Sequence, residues 1–292
     1  FGRGTWIIDD LIALELKTSQ SNREYEEVVD RIKGWYNLIN KTKTGYDYPM
    51  ENAIRLISTI FIYHFLTRLK LVDFDLFHNN LQELIRKLTI HVILDTELSS
   101  KPGNHYHTQL FAIKLASEFF DSKLIMRVLN TYESIVPKSI LDQFLKDGGN
   151  IEGSVGYNKF MVELIVIDLI IFRNCLGFNN QSKFSFKRNL SNIFAFYSEF
   201  VLPLKNNLGD CDGSRLLPIA TSLEQLSLSG DLGALTSVLS KRVTADTKIP
   251  SVIVADFFGI AKISFPHLKV SLFFRLFSDS FFGKGGHSRD DS

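Results

Sequence analysis

Four short stretches of this 292-residue chain gather side chains suited to acid–base or anion-binding chemistry. The first is Gly103-Asn104-His105-Tyr106-His107, directly after the helix-breaking Lys101-Pro102-Gly103. An Asn amide and a His ring at a helix start are donors where the helix dipole is positive, a setting that suits a carboxylate. Asn104 is also a natural N-cap, and that structural reading stands beside the functional one. The second stretch is Asp147-Gly148-Gly149-Asn150-Ile151-Glu152-Gly153-Ser154-Val155-Gly156-Tyr157-Asn158. Read structurally, Ser154 caps the next helix and Tyr157 packs in its first turn. Read functionally, the glycines let a substrate approach the backbone. The third is Gly283-Lys284-Gly285-Gly286-His287-Ser288-Arg289-Asp290-Asp291, a polar turn with a solvated charge run. The fourth is Gly209-Asp210-Cys211-Asp212-Gly213-Ser214-Arg215, a turn or a groove-lining loop. None is a phosphate-binding loop, a dinucleotide fingerprint, a zinc-protease helix or a nucleophile elbow.

The elements that must carry these stretches read mostly as successive helices. Over Asn22 to Asn40, Tyr25, Val28, Val29, Ile32, Trp35, Tyr36 and Ile39 follow helical spacing, with Glu24, Glu27, Asp30 and Lys33 opposite. Pro49 suits a first helical turn, and a helix from about Met50 to Lys70 buries Ile54, Ile57, Phe61 and Phe65. Phe74 to Leu98 forms the next, with a stripe of Leu81, Leu84, Leu88 and Val92. Asn104 to Phe120 follows, then one or two helices over Leu124 to Leu145, interrupted at Pro137. Ser154 to Cys175 is apolar nearly all round, which predicts a central helix. Phe184 to Leu202 is another. Long helices with short turns imply stacked antiparallel hairpins. After Pro250 the pattern changes. Ser251 to Phe258, Ile260 to Ser264, Lys269 to Phe277 and Ser280 to Phe282 are short and rich in Val, Ile and Phe, as strands buried on both faces would be.

Composition narrows the function classes. The chain has 33 Lys+Arg against 32 Asp+Glu, a net charge of +1, which leaves no electrostatic footprint for nucleic acid or an anionic membrane. Its 25 Phe require a sizeable core. Two cysteines, Cys175 and Cys211, exclude a disulfide framework and a four-Cys zinc site; one bridge or two buried thiols both fit, the thiols better. The longest apolar run, Leu164 to Phe172, contains Asp168 and falls short of the roughly 20 residues a membrane span needs. The chain opens at Phe1 without a signal-peptide pattern and closes on a polar run, so a fragment at both ends is expected.

Taken in order, the stretches resemble the heparinase II/III family of polysaccharide lyases, which includes alginate-lyase relatives. The resemblance begins at Trp35 and at Tyr48-Pro49-Met50-Glu51-Asn52-Ala53-Ile54-Arg55, like the family's helix with an aromatic, an acid and an Arg. It continues through Asn104-His105 and through Asp147-Gly148 to Glu152, Ser154 and Tyr157, then Gly209-Asp210-Cys211-Asp212, and ends at Gly286-His287-Ser288-Arg289-Asp290-Asp291. It implies a mainly α fold: an incomplete α/α toroid of stacked antiparallel helical hairpins over residues 1–250, then the truncated start of an antiparallel β-sandwich over residues 251–292. It also implies a sugar chain bound in the cleft between them, and a periplasmic or secreted setting.

The implied reaction is β-elimination at a uronic acid. The C5 proton lies beside a carboxylate that must be neutralised before a carbanion is tolerable. By resemblance, Asn104 and His105 donate hydrogen bonds to that carboxylate. Tyr157 matches the family's acid/base tyrosine, and His287 matches a β-domain histidine that acts as a second base or orients the sugar. A Tyr base, with an ordinary pKa of about 10, needs a cationic or donating neighbour, for which Arg55 and His105 are candidates. Glu51, Arg55, Glu152, Asp212 and Arg289 are the remaining substrate-binding candidates. Arg289 stands where the family often has a metal-binding His, so no metal or other cofactor is expected, although Asp291 is retained. Two alternatives remain. A hydrolase on a similar scaffold would need two carboxylates roughly 5–10 Å apart, drawn from Glu51, Glu152 and Asp212. A non-catalytic glycan-binding or surface-polysaccharide biosynthesis protein would need no such pair.

Overall fold

The computed structural model describes residues 3–16, 22–41, 49–69, 74–96, 103–120, 122–133, 142–172, 189–201, 251–255, 260–265, 268 and 270–275. These residues are mainly helical, with one small antiparallel sheet. The chain divides into two compact units.

The first unit holds α1 (Thr5–Leu16), α2 (Asn22–Lys41), α3 (Pro49–Leu69), α4 (Phe74–Leu94), α5 (Asn104–Ser117) and α6 (Lys123–Glu133). Helix α1 is absent from the sequence reading; its apolar face buries Ile7, Ile8 and Leu11. In α2 the buried side chains are Val28, Ile32, Trp35 and Ile39, spaced by four, three and four, while Glu26, Glu27, Asp30 and Lys33 face solvent. Helix α3 starts on Pro49, whose missing N–H is no loss in a first turn. It packs on α1, α4 and α5, so it buries residues all round, Asn52, Ser58 and Thr59 included. Thr59 satisfies its hydroxyl on the Arg55 carbonyl at 2.6 Å. Helix α4 buries the expected stripe of Leu81, Leu84, Leu88 and Val92, with Ile85 added.

Named contacts fix the directions of α3, α4 and α5. Near the end of α3, Tyr63 stacks on His78 early in α4, with ring centroids 4.3 Å apart, and accepts a hydrogen bond from Gln82 at 2.9 Å. It also meets Phe119, just past the end of α5, at 5.1 Å. At the opposite end, Gln109 early in α5 donates to the carbonyl of Asp95, just past α4, at 3.1 Å. Helices α3 and α5 therefore run parallel and α4 runs antiparallel to both. The starts of α3 and α5 share one end of this layer.

The second unit holds α7 (Val155–Phe172), helical residues 189–196 that continue into a π-helical turn at Tyr197–Val201, and strands β1 (Ser251–Ala255), β2 (Ile260–Phe265) and β3 (Val270–Arg275). Helix α7 is central, as its composition predicts: from Val155 to Ile167 every side chain but Lys159 is buried. The strands form an antiparallel β1-β2-β3 sheet, with Ser251 opposite Ser264 and Ile260 opposite Arg275. The expectation of burial on both faces is corrected. One face carries buried Ala255 and Ile260, along with Lys262, which reaches Glu199 of the π-helical turn at 2.8 Å. The other carries Val252, Val254 and Leu272, which are 62%, 46% and 45% exposed. Register alone does not account for the split: Ile253, 36% exposed, shares the first face and buried Ala261 shares the second, so burial follows the end of the sheet where β1 meets β2 and not one face.

Candidate functional site

In the first unit, the Asn104-His105 pair opens α5. Gly103 holds the cap position in an extended conformation, φ −102° and ψ −171°, and supplies no side-chain cap. Asn104 therefore lies one residue inside the cap. Its Oδ1 accepts the His105 N–H at 2.7 Å, which leaves the carboxamide NH2 as the group able to donate outward. Asn104 is only 5% exposed, so its amide is held in place. Thr108 Oγ1 bonds the Asn104 carbonyl at 2.8 Å and closes the first turn behind it. His105 is half-buried, and His107 is buried beside the ring of Tyr106.

Two further sequence candidates sit in the first turns of α3, at the same end of the layer. Arg55 is half-buried, and its Nη1 donates to Asn52 Oδ1 at 3.2 Å. Glu51 is engaged by Arg3, whose Nε lies 2.9 Å and 2.8 Å from the two carboxylate oxygens and whose Nη2 also reaches Oε1. Glu51 is therefore a neutralised partner of the chain's own Arg3, and not a bare carboxylate. Sequence reasoning missed this pair, since 48 positions separate its members. One residue on, Gly4 adopts φ +73°, and a Cβ there would lie 2.7 Å from the Trp35 ring. The buried Trp35 thus packs under the turn that positions Arg3.

In the second unit, Tyr157 stands in the first turn of α7 and is 6% exposed. Ser154 Oγ accepts the Tyr157 N–H at 3.4 Å, the N-cap geometry read from the sequence. The preceding loop is built from its own polar groups. Asp147 Oδ1 accepts from the Gly149 N–H at 3.1 Å, and Asn150 Oδ1 from the Glu152 N–H at 2.9 Å. Asn158 Nδ2 donates back to the Gly148 carbonyl at 3.1 Å. Gly148 and Gly153 have φ of +93° and +74°, left-handed conformations that explain two of the loop's glycines. A Cβ on Gly148 would also lie 2.2 Å from the backbone oxygen of Asn192. Glu152 is half-buried. Asn150 Nδ2 and Asn158 Oδ1 are buried without a hydrogen bond among the described residues, each at a cost of about 1–3 kcal/mol. Unpaired buried groups of this kind collect where a loop's shape is set by something other than stability.

His287, Arg289 and Asp212 lie outside the described residues, as do Asp291 and both cysteines. Among the described residues, no cluster of three or more His, Cys, Asp or Glu could hold a metal ion. No helix among them is long and apolar enough to cross a membrane. Besides the Arg3–Glu51 pair, sequence reading missed Asn192, whose Nδ2 donates to the Lys146 carbonyl at 3.0 Å, and the Lys262–Glu199 pair. It also missed the cluster of Tyr63, His64, His78 and Phe119 at the far end of the α3–α5 layer. Partial desolvation beside these rings holds the exposed His64 below the usual histidine pKa. Apart from the adjacent Tyr63 and His64, these contacts have no local signal, because they join residues brought together only by the fold. No family model, no curated protein and no solved structure matches the chain.

Proposed function

We propose that this chain is a polysaccharide lyase that cleaves uronic-acid-containing polymers by β-elimination. The observation that supports the reading most directly is the start of α5. There a buried, oriented Asn104 amide and His105 open a helix whose cap supplies no side chain, at the same end of the layer as Arg55. Such a group of donors suits a carboxylate whose charge grows as the adjacent C–H bond breaks. Tyr157, set in a rigid and glycine-flanked first turn, is the acid/base.

In this reading the phenolate of Tyr157 takes the C5 proton. The C–H electron pair forms the C4–C5 double bond, the C4–O bond breaks, and the leaving oxygen takes a proton from the phenol. The products are an unsaturated uronate and a new chain end, with no oxidant or co-substrate. Arg55 and Glu152 bind the sugar chain, as do Asp212, His287 and Arg289 from outside the described residues. Glu51 contributes by fixing Arg3. An incomplete α/α toroid followed by the start of a β-sandwich is the architecture proposed with this function.

The test is ultraviolet absorbance of the unsaturated product when the chain meets heparin-type, alginate and bacterial polyuronates. Tyr157→Phe should retain about 10⁻²–10⁻⁴ of the rate. Full activity in that variant contradicts the mechanism. New reducing ends without absorbance would favour hydrolysis.

A further inference from the structure

We propose that Asn192 is a positioning residue for Tyr157, acting through the loop that precedes α7; the inference rests on the lyase reading for its consequence in catalysis. Asn192 lies on the 189–201 helix, and its Nδ2 donates to the carbonyl of Lys146, 46 residues earlier, at 3.0 Å. Two residues further along the loop, Gly148 presses its backbone on the same residue. A Cβ on Gly148 would stand 2.2 Å from Asn192 O and 2.5 Å from Asn192 C. The loop is thus fixed to the helix twice, by a hydrogen bond and by a backbone contact that only glycine permits. From Gly148 the connection runs to α7, because its carbonyl takes the hydrogen bond from Asn158 Nδ2 at 3.1 Å. Asn158 is the neighbour of Tyr157 in the first helical turn.

The helix that carries Asn192 is itself secured. Its π-helical turn packs on α7, and Glu199 within that turn pairs with Lys262 of β2 at 2.8 Å. A π-helical turn is a rare element, frequently found at functional sites. The rest of α7 does not depend on Asn192, since Phe160, Met161, Val162 and Leu164 to Ile167 are buried by their own apolar packing. What Asn192 holds is the loop, and with it the direction from which Tyr157 is presented.

The experiment uses the full chain as wild type, Asn192→Ala, Asn192→Gln and Gly148→Ala. Three readouts are taken: amide hydrogen exchange, the ring-carbon NMR shift of Tyr157, and the kcat and KM of uronate elimination. In Asn192→Ala the Gly149, Glu152 and Tyr157 amides should exchange about two- to ten-fold faster, the loss expected for one hydrogen bond. The amides of Met161 to Ile167 should keep wild-type protection. The Tyr157 shift should move, and kcat should fall over the same range with KM unchanged. Asn192→Gln, which keeps the donor, should recover part of the loss, and Gly148→Ala should disturb the same amides by an independent route. Unchanged loop exchange in both Asn192→Ala and Gly148→Ala overturns the proposal. So does faster exchange with an unmoved Tyr157 shift. A wild-type chain that eliminates no polyuronate overturns the lyase reading, while the exchange and the shift still decide the role of Asn192.

Discussion

The starts of α5 and α7 solve the same problem in opposite ways. Every α-helix begins with N–H groups that its own backbone cannot satisfy. At α7, Ser154 caps the Tyr157 N–H, and the loop before it consumes its own donors on Asp147 and Asn150. At α5, the cap residue is Gly103 and contributes no side chain, while Asn104 turns its oxygen onto the His105 N–H and keeps its NH2. The first arrangement holds a side chain still. The second leaves the Asn104 NH2 at the positive end of a dipole. In the proposed β-elimination, the start of α7 would supply the proton carrier and the start of α5 the anion receptor.

The contrast can be broken from the α7 side with the largest effect. Tyr157→Phe should lower kcat by about 10²–10⁴, read by product absorbance. Asn104→Ala should follow at about 10²–10³, the usual loss of one oriented donor. The double variant should lose less than the product of the single losses if both residues act on one transition state. Gly148→Ala should cost roughly 2–4 kcal/mol of stability in urea unfolding, from a left-handed φ combined with a backbone clash. Ser154→Ala should cost about 1 kcal/mol, the typical value of an N-cap. Gly103→Ser is the subtler counterpart. Nothing lies within 4 Å of a Cβ built there, so the hydroxyl has room to cap α5. It should gain a few tenths of a kcal/mol in stability, read by urea unfolding.

The far end of the α3–α5 layer supplies a pH control. Partial desolvation lowers the pKa of His64 in the folded chain, so the unfolded chain binds more protons between the folded and unfolded values. Stability is then complete above the unfolded histidine pKa and falls as pH drops toward the folded one. His64→Gln should flatten that part of the stability curve in thermal melts. Any acid loss of activity that survives in His64→Gln arises elsewhere, and the donor end is the first place to look.

Much of the helical content was legible in the sequence because burial imposes a periodicity. The stripes of α2 and α4 appear as written, and so does the all-round apolar character of α7. Helix ends were placed within a few residues, since caps and glycines mark them only locally. The exposure of Val252, Val254 and Leu272 was not legible, because Val and Leu in a strand look like core residues until the fold shows which end of the sheet is covered. At the site, the Ser154 cap could be read locally, while the left-handed backbone that Gly148 and Gly153 supply appeared only in the structure. The Arg3–Glu51 pair and the Asn192 contact could not, because only the folded chain brings those partners together.

The most direct measurement is the time course of ultraviolet absorbance when the chain is mixed with a panel of uronate polymers, run beside Tyr157→Phe and Asn104→Ala. The expected result is growth of the unsaturated-uronate signal with wild type on at least one polymer, and its loss by about 10²-fold or more in both variants. A signal that Tyr157→Phe leaves intact, or no signal with any polymer, would contradict the central claim.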